Sequence, residues 1–457
     1  MSVSVRLSRE YSLEINNELL LRTDLRVMSQ TGSSVRSQRR SASSLSASSA
    51  RFDAFALGLS GADNRQPVVI EIGSKLTKVG YAGEFVPRAI VRTELIDGSP
   101  VPCYLFESAV SVDEQYHTLV KFLKQIFFRN LLTVAKDRRI VIVESVLEPT
   151  RRREMLARAL FEALDAPSVL FAPSHLLATF PFATSNALVI DIGFKEAVII
   201  PILEGVTVLN NWEASSLGAE RLERRVCELL HKYGKVVQMD GSERQLTEED
   251  DTLLLKNRVL EDIVVRFCFA TKMERGLRIQ AADYCIEGDI PSPPCDVRLP
   301  FGNEMLVVPG AIREWTAEVL FEFDDDEKSI PQLILDSVFR SPIDSRRVLL
   351  NSLILVGGPT SLKGFYARLR EELIRLVKSD HYASKLCNID SVKFFRLPNT
   401  SVELYANWLG GSMFGSLDVL QYRSLSREDW LNQKIVPDWT AKISGGDAAI
   451  RDSFRDR

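Results

Sequence analysis

The chain has 457 residues, 45% of them hydrophobic, and a formal charge of −4 at pH 7. That length exceeds what one hydrophobic core serves, so at least two domains are expected, and the near-balanced charge excludes a general pull toward nucleic acid or a membrane surface. Six cysteines (Cys103, Cys227, Cys268, Cys285, Cys295 and Cys387) without a Cys-x-x-Cys pair, and four dispersed histidines, predict a reduced cytosolic protein with no zinc site evident from spacing.

Residues 1–66 read as a serine/arginine-rich extension. Between 29 and 51 the chain is serine-rich and basic, with Arg36, Arg39 and Arg40 close together. Such a stretch buries too little apolar surface to offset chain entropy, so it is expected to be disordered. Glu10, Glu14, Glu18 and Asp24 argue against a transit peptide.

Order is expected from near Pro67. The phrase Val-Ile-Glu-Ile-Gly-Ser-Lys at 69–75 returns as Val-Ile-Asp-Ile-Gly-Phe-Lys at 189–195. Each is a β-branched run that ends on an acid, turns at a glycine and resumes as an apolar run, which predicts a β-hairpin. Gly73 and Gly193 are expected to allow positive φ, with turn N–H groups able to cradle an anion. Two such hairpins facing across a cleft would offer two phosphate cradles and two carboxylates, Glu71 and Asp191, for a hydrated Mg²⁺. The alternative is a pair of ordinary buried hairpins.

Residues 88–110 lack clear periodicity and read as a short excursion. Leu119, Phe122, Leu123, Ile126 and Phe127 share one helical face, residues 140–146 form a strand apolar on both faces, and Thr150 is placed to cap a helix closed by Pro167. After the second hairpin, helices are predicted at 219–233 and 259–279, with a polar surface insertion at 234–251 between them. A buried strand at 352–356 leads through Gly357-Gly358 into a helix with Phe365, Leu369, Leu373 and Leu376 on one face. That is either a place where backbone meets a nucleotide's sugar or base, or a tight strand-to-helix turn. Trp408-Leu-Gly-Gly-Ser412 begins a last helix, and Trp430 and Trp439 are candidate anchors for a partner or for the protein's own surface. The apolar stretches, such as 197–203, are too short to span a bilayer.

Taken in order, Val69-Ile-Glu-Ile-Gly-Ser, Lys78-Val-Gly-Tyr-Ala-Gly83, Pro87-Arg-Ala89, Val189-Ile-Asp-Ile-Gly193, Gly357-Gly358 and Trp408-Leu-Gly-Gly-Ser412 resemble actin and the actin-related proteins. The resemblance implies an α/β class with the actin-like duplicated ribonuclease-H-type fold, two domains around a nucleotide cleft. The first domain would be 67–185 with 399–424, the second 186–398, and 425–457 a partner-binding or surface-packed tail. Carried over by position, it implies nucleotide contacts at Glu71, Gly73, Ser74, Lys78, Asp191, Gly193, Gly357 and Gly358, with ATP or ADP and Mg²⁺ as the ligand.

The departures from the family pattern weaken that expectation. Glu71 stands for an aspartate, Lys75 and Lys195 for turn glycines, and Phe194 for an aspartate. No glutamine lies between Phe171 and Asp191, and Val264, Val265 and Leu362 replace residues that hold the base. Lys75 and Lys195 either neutralise phosphates or are solvated turn residues. Positioning and electrostatics dominate phosphoryl transfer, so hydrolysis is expected to be slow or absent and no residue is assigned a catalytic role.

Within the family, Phe128-Arg-Asn-Leu-Leu132, residues 137–145, Ala172-Pro-Ser-His-Leu176, Leu260-Glu-Asp-Ile263, Arg275-Gly-Leu-Arg-Ile-Gln280, Ser341-Pro-Ile-Asp344 and Pro437-Asp-Trp439 resemble the actin-related subunit at the pointed end of dynactin. This implies a non-motor cytoplasmic, cytoskeletal subunit. Its partners would be the actin-like filament, pointed-end subunits of the p62, p25 and p27 type and, indirectly, dynein, without nucleic acid or direct membrane contact. A nuclear actin-related subunit of a chromatin-remodelling complex is the competing reading, followed by an actin-fold ATPase or sugar kinase.

Overall fold

The computed structural model describes residues 65–95, 103–106, 110–285, 292–323, 327–386, 389–417 and 423–437. The serine/arginine-rich extension up to 64, Cys387 and Trp439 lie outside the described residues, and of Cys103 only the backbone is described.

Both repeated phrases form antiparallel hairpins. Val68–Ile72 pairs with Leu76–Tyr81, and Ala187–Ile192 pairs with Ala197–Leu203. In each case the first strand also takes a parallel neighbour on its other edge. For the first hairpin this is Ile140–Glu144; for the second it is Leu353–Val356. Parallel strands need a crossover and covered faces, which explains why both neighbours are buried along their length and apolar except for Glu144 at the end of the first. The first hairpin belongs to a six-stranded sheet, which Ser168–Pro173 and Leu425–Ser426 extend on one side and Ala89–Arg92 on the other. The second hairpin centres a sheet with Leu353–Val356, Val206–Thr207 and Glu213–Ser215.

Helices cover these sheets where apolar residues recur at helical spacing. Helix Ala219–Tyr233 buries Leu222, Val226, Leu229 and Leu230 in the core around the second hairpin. Helix Val112–Gln125, started by a reciprocal Ser111–Glu114 capping box, buries Leu119, Val120, Phe122 and Leu123 around the first. Helix Ala406–Gly415 joins the two cores. Its Trp408 is fully buried beneath the first hairpin and donates from Nε1 to the Val69 carbonyl at 3.1 Å, while Ala406 packs among Val189, Ile354 and Val356.

Three sequence expectations are corrected. Thr150 is the first helical residue rather than a cap; Pro149 holds the cap position and helix Thr150–Arg158 starts without a side-chain cap. The single helix expected at 259–279 is two, Val259–Phe267 and Met273–Ala281. The chain between them runs extended, Phe269 N–H donating to Arg313 and Ala270 N–H to Lys363. These tertiary partners override a continuous helical pattern.

The polar stretch 234–251 is more than a surface insertion. Lys235–Val237 and Glu243–Arg244 join Val297–Phe301 and Glu304–Val308 in a four-stranded antiparallel sheet, with Val236 fully buried. The excursion at 88–110 contributes a sheet strand, Ala89–Arg92, and then a small pairing of Glu94–Leu95 with Cys103–Tyr104. Trp430 is buried and stacks on Phe161 with centroids 5.8 Å apart, so it anchors on the protein's own surface.

Candidate functional site

The two hairpin turns face each other. The Lys75 ammonium at the tip of the first lies 4.3 Å from the centroid of the Phe194 ring at the tip of the second. Gly357 sits beside the second turn because the strand ending at Val356 pairs in parallel with Asp191. Its φ is +96°, and a Cβ there would lie 1.9 Å from the Ile192 carbonyl oxygen, so the close approach requires glycine. Glu71, Gly73, Ser74, Lys78, Asp191, Gly193 and Gly357, with Gly358 next in the chain, are therefore brought together where the two hairpins meet.

The turns are built alike but not as expected. Neither Gly73 nor Gly193 has positive φ. Each is needed for space, since a Cβ would come within 2.8 Å of the Leu76 carbonyl at Gly73 and 3.3 Å of the Glu196 carbonyl at Gly193. Each glycine N–H closes its own turn, donating to Leu76 at 3.0 Å and to Glu196 at 2.8 Å. These two donors are unavailable to an anion. Ser74 is exposed in the first turn.

On the cleft floor, Lys78 donates to Glu71 Oε1 at 2.6 Å, the two being directly opposed across the hairpin. Asp191 accepts from Asn407 Nδ2 at 2.8 Å. Burial pushes the Asp191 carboxyl up to about 6; the Asn407 hydrogen bond opposes this shift and the neighbouring Glu71 charge adds to it. Glu71 Oε2 and Asn407 Oδ1 are buried without a hydrogen-bond partner. Such atoms carry a desolvation cost that a bound cation or its water would remove. This floor fits a hydrated Mg²⁺: Glu71 and Asp191 are the residues that would hold it, and the cation would supply the positive charge that the two carboxylates lack.

The mouth of the cleft is different. Lys75 pairs with Glu223 and, at 3.3 Å, with Glu261. Arg92 makes a two-pronged contact with Glu261 at 3.0 and 3.1 Å, and Arg258 pairs with Glu94. Three cations meet three carboxylates from opposite sides of the cleft. Lys75 is therefore neither solvated nor directed at the floor, whereas Lys195 is exposed.

Glu223 stands on helix Ala219–Tyr233, whose first N–H groups are capped by the second turn: Ala219 donates to Gly193 and Glu220 to Phe194. The sequence reading missed Glu223, Glu261, Arg92 and Arg258. Single charges on a helix (Glu223, Glu261), before a helix (Arg258) or at the end of a short strand (Arg92) look like solvated surface, and only the unusual lysine in the first turn hinted that it needs partners.

Beside the glycine turn an open cavity of about 510 Å³ is lined by Thr360, Leu362, Tyr366, Arg396 and Glu403. Its polar wall is a network in which Glu403 accepts from Arg396 at 2.9 Å and from Tyr366 at 3.0 Å. The volume is in the range of small-molecule sites.

A duplicated α/β pair closing two hairpin turns on a carboxylate floor defines the actin class of folds. The chain belongs to the actin family, whose family model, described as actin, matches residues 62–436. It is 27% identical over 442 residues to actin-related protein 10 of Dictyostelium discoideum, covering 82% of this chain and 90% of that protein. It is 25% identical over 396 residues to putative actin-29 of the same organism (80% and 94% covered). It is also 23% identical over 393 residues to an actin-like protein of Neurospora crassa (80% and 95%).

Proposed function

We propose that this actin-related chain is a non-motor, structural subunit of dynactin that caps the pointed end of its actin-like filament and does not turn over ATP. The observation that carries the proposal is the mouth of the cleft. Lys75, in the turn where actins keep a glycine, is held by Glu223 and Glu261, so ion pairs of the chain itself bring the two sides together. A cleft closed in this way has no need of a nucleotide cycle.

The floor still fits ATP or ADP with Mg²⁺, and a nucleotide held there would act as a structural ligand. Phe194 and the absence of glutamine between Phe171 and Asp191 leave attacking water without the groups that orient it.

The likeness to a protein named actin-related protein 10 supports a place in dynactin. Filament growth at a pointed end needs a surface for the next subunit. Between Ala89–Arg92 and helix Val112–Gln125, the described backbone offers only the paired dipeptides Glu94–Leu95 and Cys103–Tyr104 as strands. That short excursion favours docking onto a last subunit without offering a matching face to another, leaving the outer face for subunits of the p62, p25 and p27 type. The cellular compartment that follows is the cytoplasm.

The test is to tag the chain at its native expression level, fractionate by size and identify what co-migrates by mass spectrometry. Recovery in one large assembly with dynactin subunits is expected. Recovery with chromatin-remodelling subunits, or as a lone monomer, would overturn the assignment while leaving the fold untouched.

A further inference from the structure

Away from the cleft, helix Ala219–Tyr233 brings Cys227 and His231 to one face, one turn apart, opposite Asp251 of helix Glu248–Lys256. His231 Nε2 is 2.7 Å and Cys227 Sγ 3.8 Å from the same oxygen, Asp251 Oδ1, and all three donor atoms lie within 4.8 Å of one another. We propose that Cys227, His231 and Asp251 form a zinc site that clamps helix Glu248–Lys256 to helix Ala219–Tyr233.

Thiolate, imidazole and carboxylate together suit zinc and disfavour Mg²⁺ or Ca²⁺, which take oxygen ligands. Ordinary Zn–S and Zn–N bond lengths at tetrahedral angles put neighbouring donors about 3.2–3.8 Å apart. The sulfur–carboxylate spacing already meets this, and the histidine–carboxylate contact needs to open by only about 0.5 Å. All three residues are partly exposed, which leaves a path for the ion and room for water as a fourth ligand.

The clamped helix needs such a tie. Of its nine residues Leu254 is the one buried apolar side chain, while Leu253 and Leu255 are exposed. Asp250 is already committed to Arg244 at 2.7 Å. Zinc binds the thiolate, so an incoming metal ion displaces the proton from the Cys227 sulfur to solvent. No zinc spacing is visible in the sequence because the third ligand lies twenty residues beyond the second.

The experiment is titration of the chelator-treated full chain with Zn²⁺, and with Co²⁺ as a spectroscopic stand-in. One equivalent is expected to bind, with a thiolate-to-cobalt charge-transfer band and a rise in melting temperature. C227S should lose the band, and H231Q and D251N should weaken binding at least about tenfold, a loss that even outer-shell partners of a metal produce. C285S/C295S, which removes the two exposed described thiols, should change neither.

Metal-free melting of each variant separates a lost ligand from a lost fold; if C227S does not fold, H231Q and D251N decide. A band that survives in C227S, affinity unchanged in H231Q and D251N, or no stoichiometric binding would overturn the site and leave a hydrogen-bonded cluster.

Discussion

The mouth and the floor of the cleft are built from the same two hairpins, yet their electrostatics are opposite. At the mouth, Lys75, Arg92 and Arg258 are matched by Glu223, Glu261 and Glu94, and every one of these groups has a partner from the other side. At the floor, Glu71 and Asp191 share Lys78 as the nearest cation. A carboxyl is pushed toward its neutral form and two buried oxygens lack partners. The mouth closes the molecule with its own charges, while the floor leaves two acceptor oxygens that a bound cation or water would satisfy. Closure and the proposed ligand binding thereby fall on different residues.

The comparison predicts effects of different size and sign. Glu261→Ala removes the acid shared by Lys75 and Arg92 and should cost about 3 kcal/mol by denaturant unfolding, most of it from leaving the partly buried Arg92 unmatched, since Lys75 keeps Glu223. Asp191→Asn acts in the opposite direction. A carboxyl raised from 3.8 to about 6 holds a proton more tightly in the folded state, so its contribution to stability is full below about pH 4 and is lost as pH rises through 6. The asparagine variant should escape that loss and be about 2–3 kcal/mol more stable at pH 7 than wild type, with a flatter pH profile between 4 and 6. It should also lose any rise in melting temperature that Mg²⁺ and ADP give the wild type.

Lys75→Ala leaves Glu223 and Glu261 facing each other near an uncovered Phe194. It should cost about 1–2 kcal/mol, less than Glu261→Ala because Arg92 keeps its partner. Lys195→Ala, at the corresponding position of the second turn but exposed, should change stability by less than about 0.5 kcal/mol. Equal effects at Lys75 and Lys195 would erase the distinction between the two turns.

Much of this arrangement is legible in the sequence, because the cues are local. β-Branched runs around a glycine form both hairpins, and apolar spacing gives helix Ala219–Tyr233 with its observed bounds. What escaped depends on distant partners. The break after Phe267 is imposed by Arg313 and Lys363, and Val236 is a strand residue because the strand Glu304–Val308 lies beside it.

In the candidate site the floor residues carry a recognisable pattern, whereas the mouth does not. An acid such as Glu261, in the first turn of a helix, looks like any charge on a helix surface. The glycines were legible as necessary, but for a different reason, since steric space and not positive φ excludes a side chain at Gly73. Trp430 needed Phe161, nearly 270 residues earlier, to become a core residue.

The most direct test of the central claim, that this cleft is a closed structural element and not a catalytic one, is phosphate release from the purified full chain in excess ATP and Mg²⁺. The account predicts no sustained release beyond a single equivalent per chain. Linear multiple turnover that disappears in Asp191→Asn would contradict it, and would make the floor, not the mouth, the working part of the molecule.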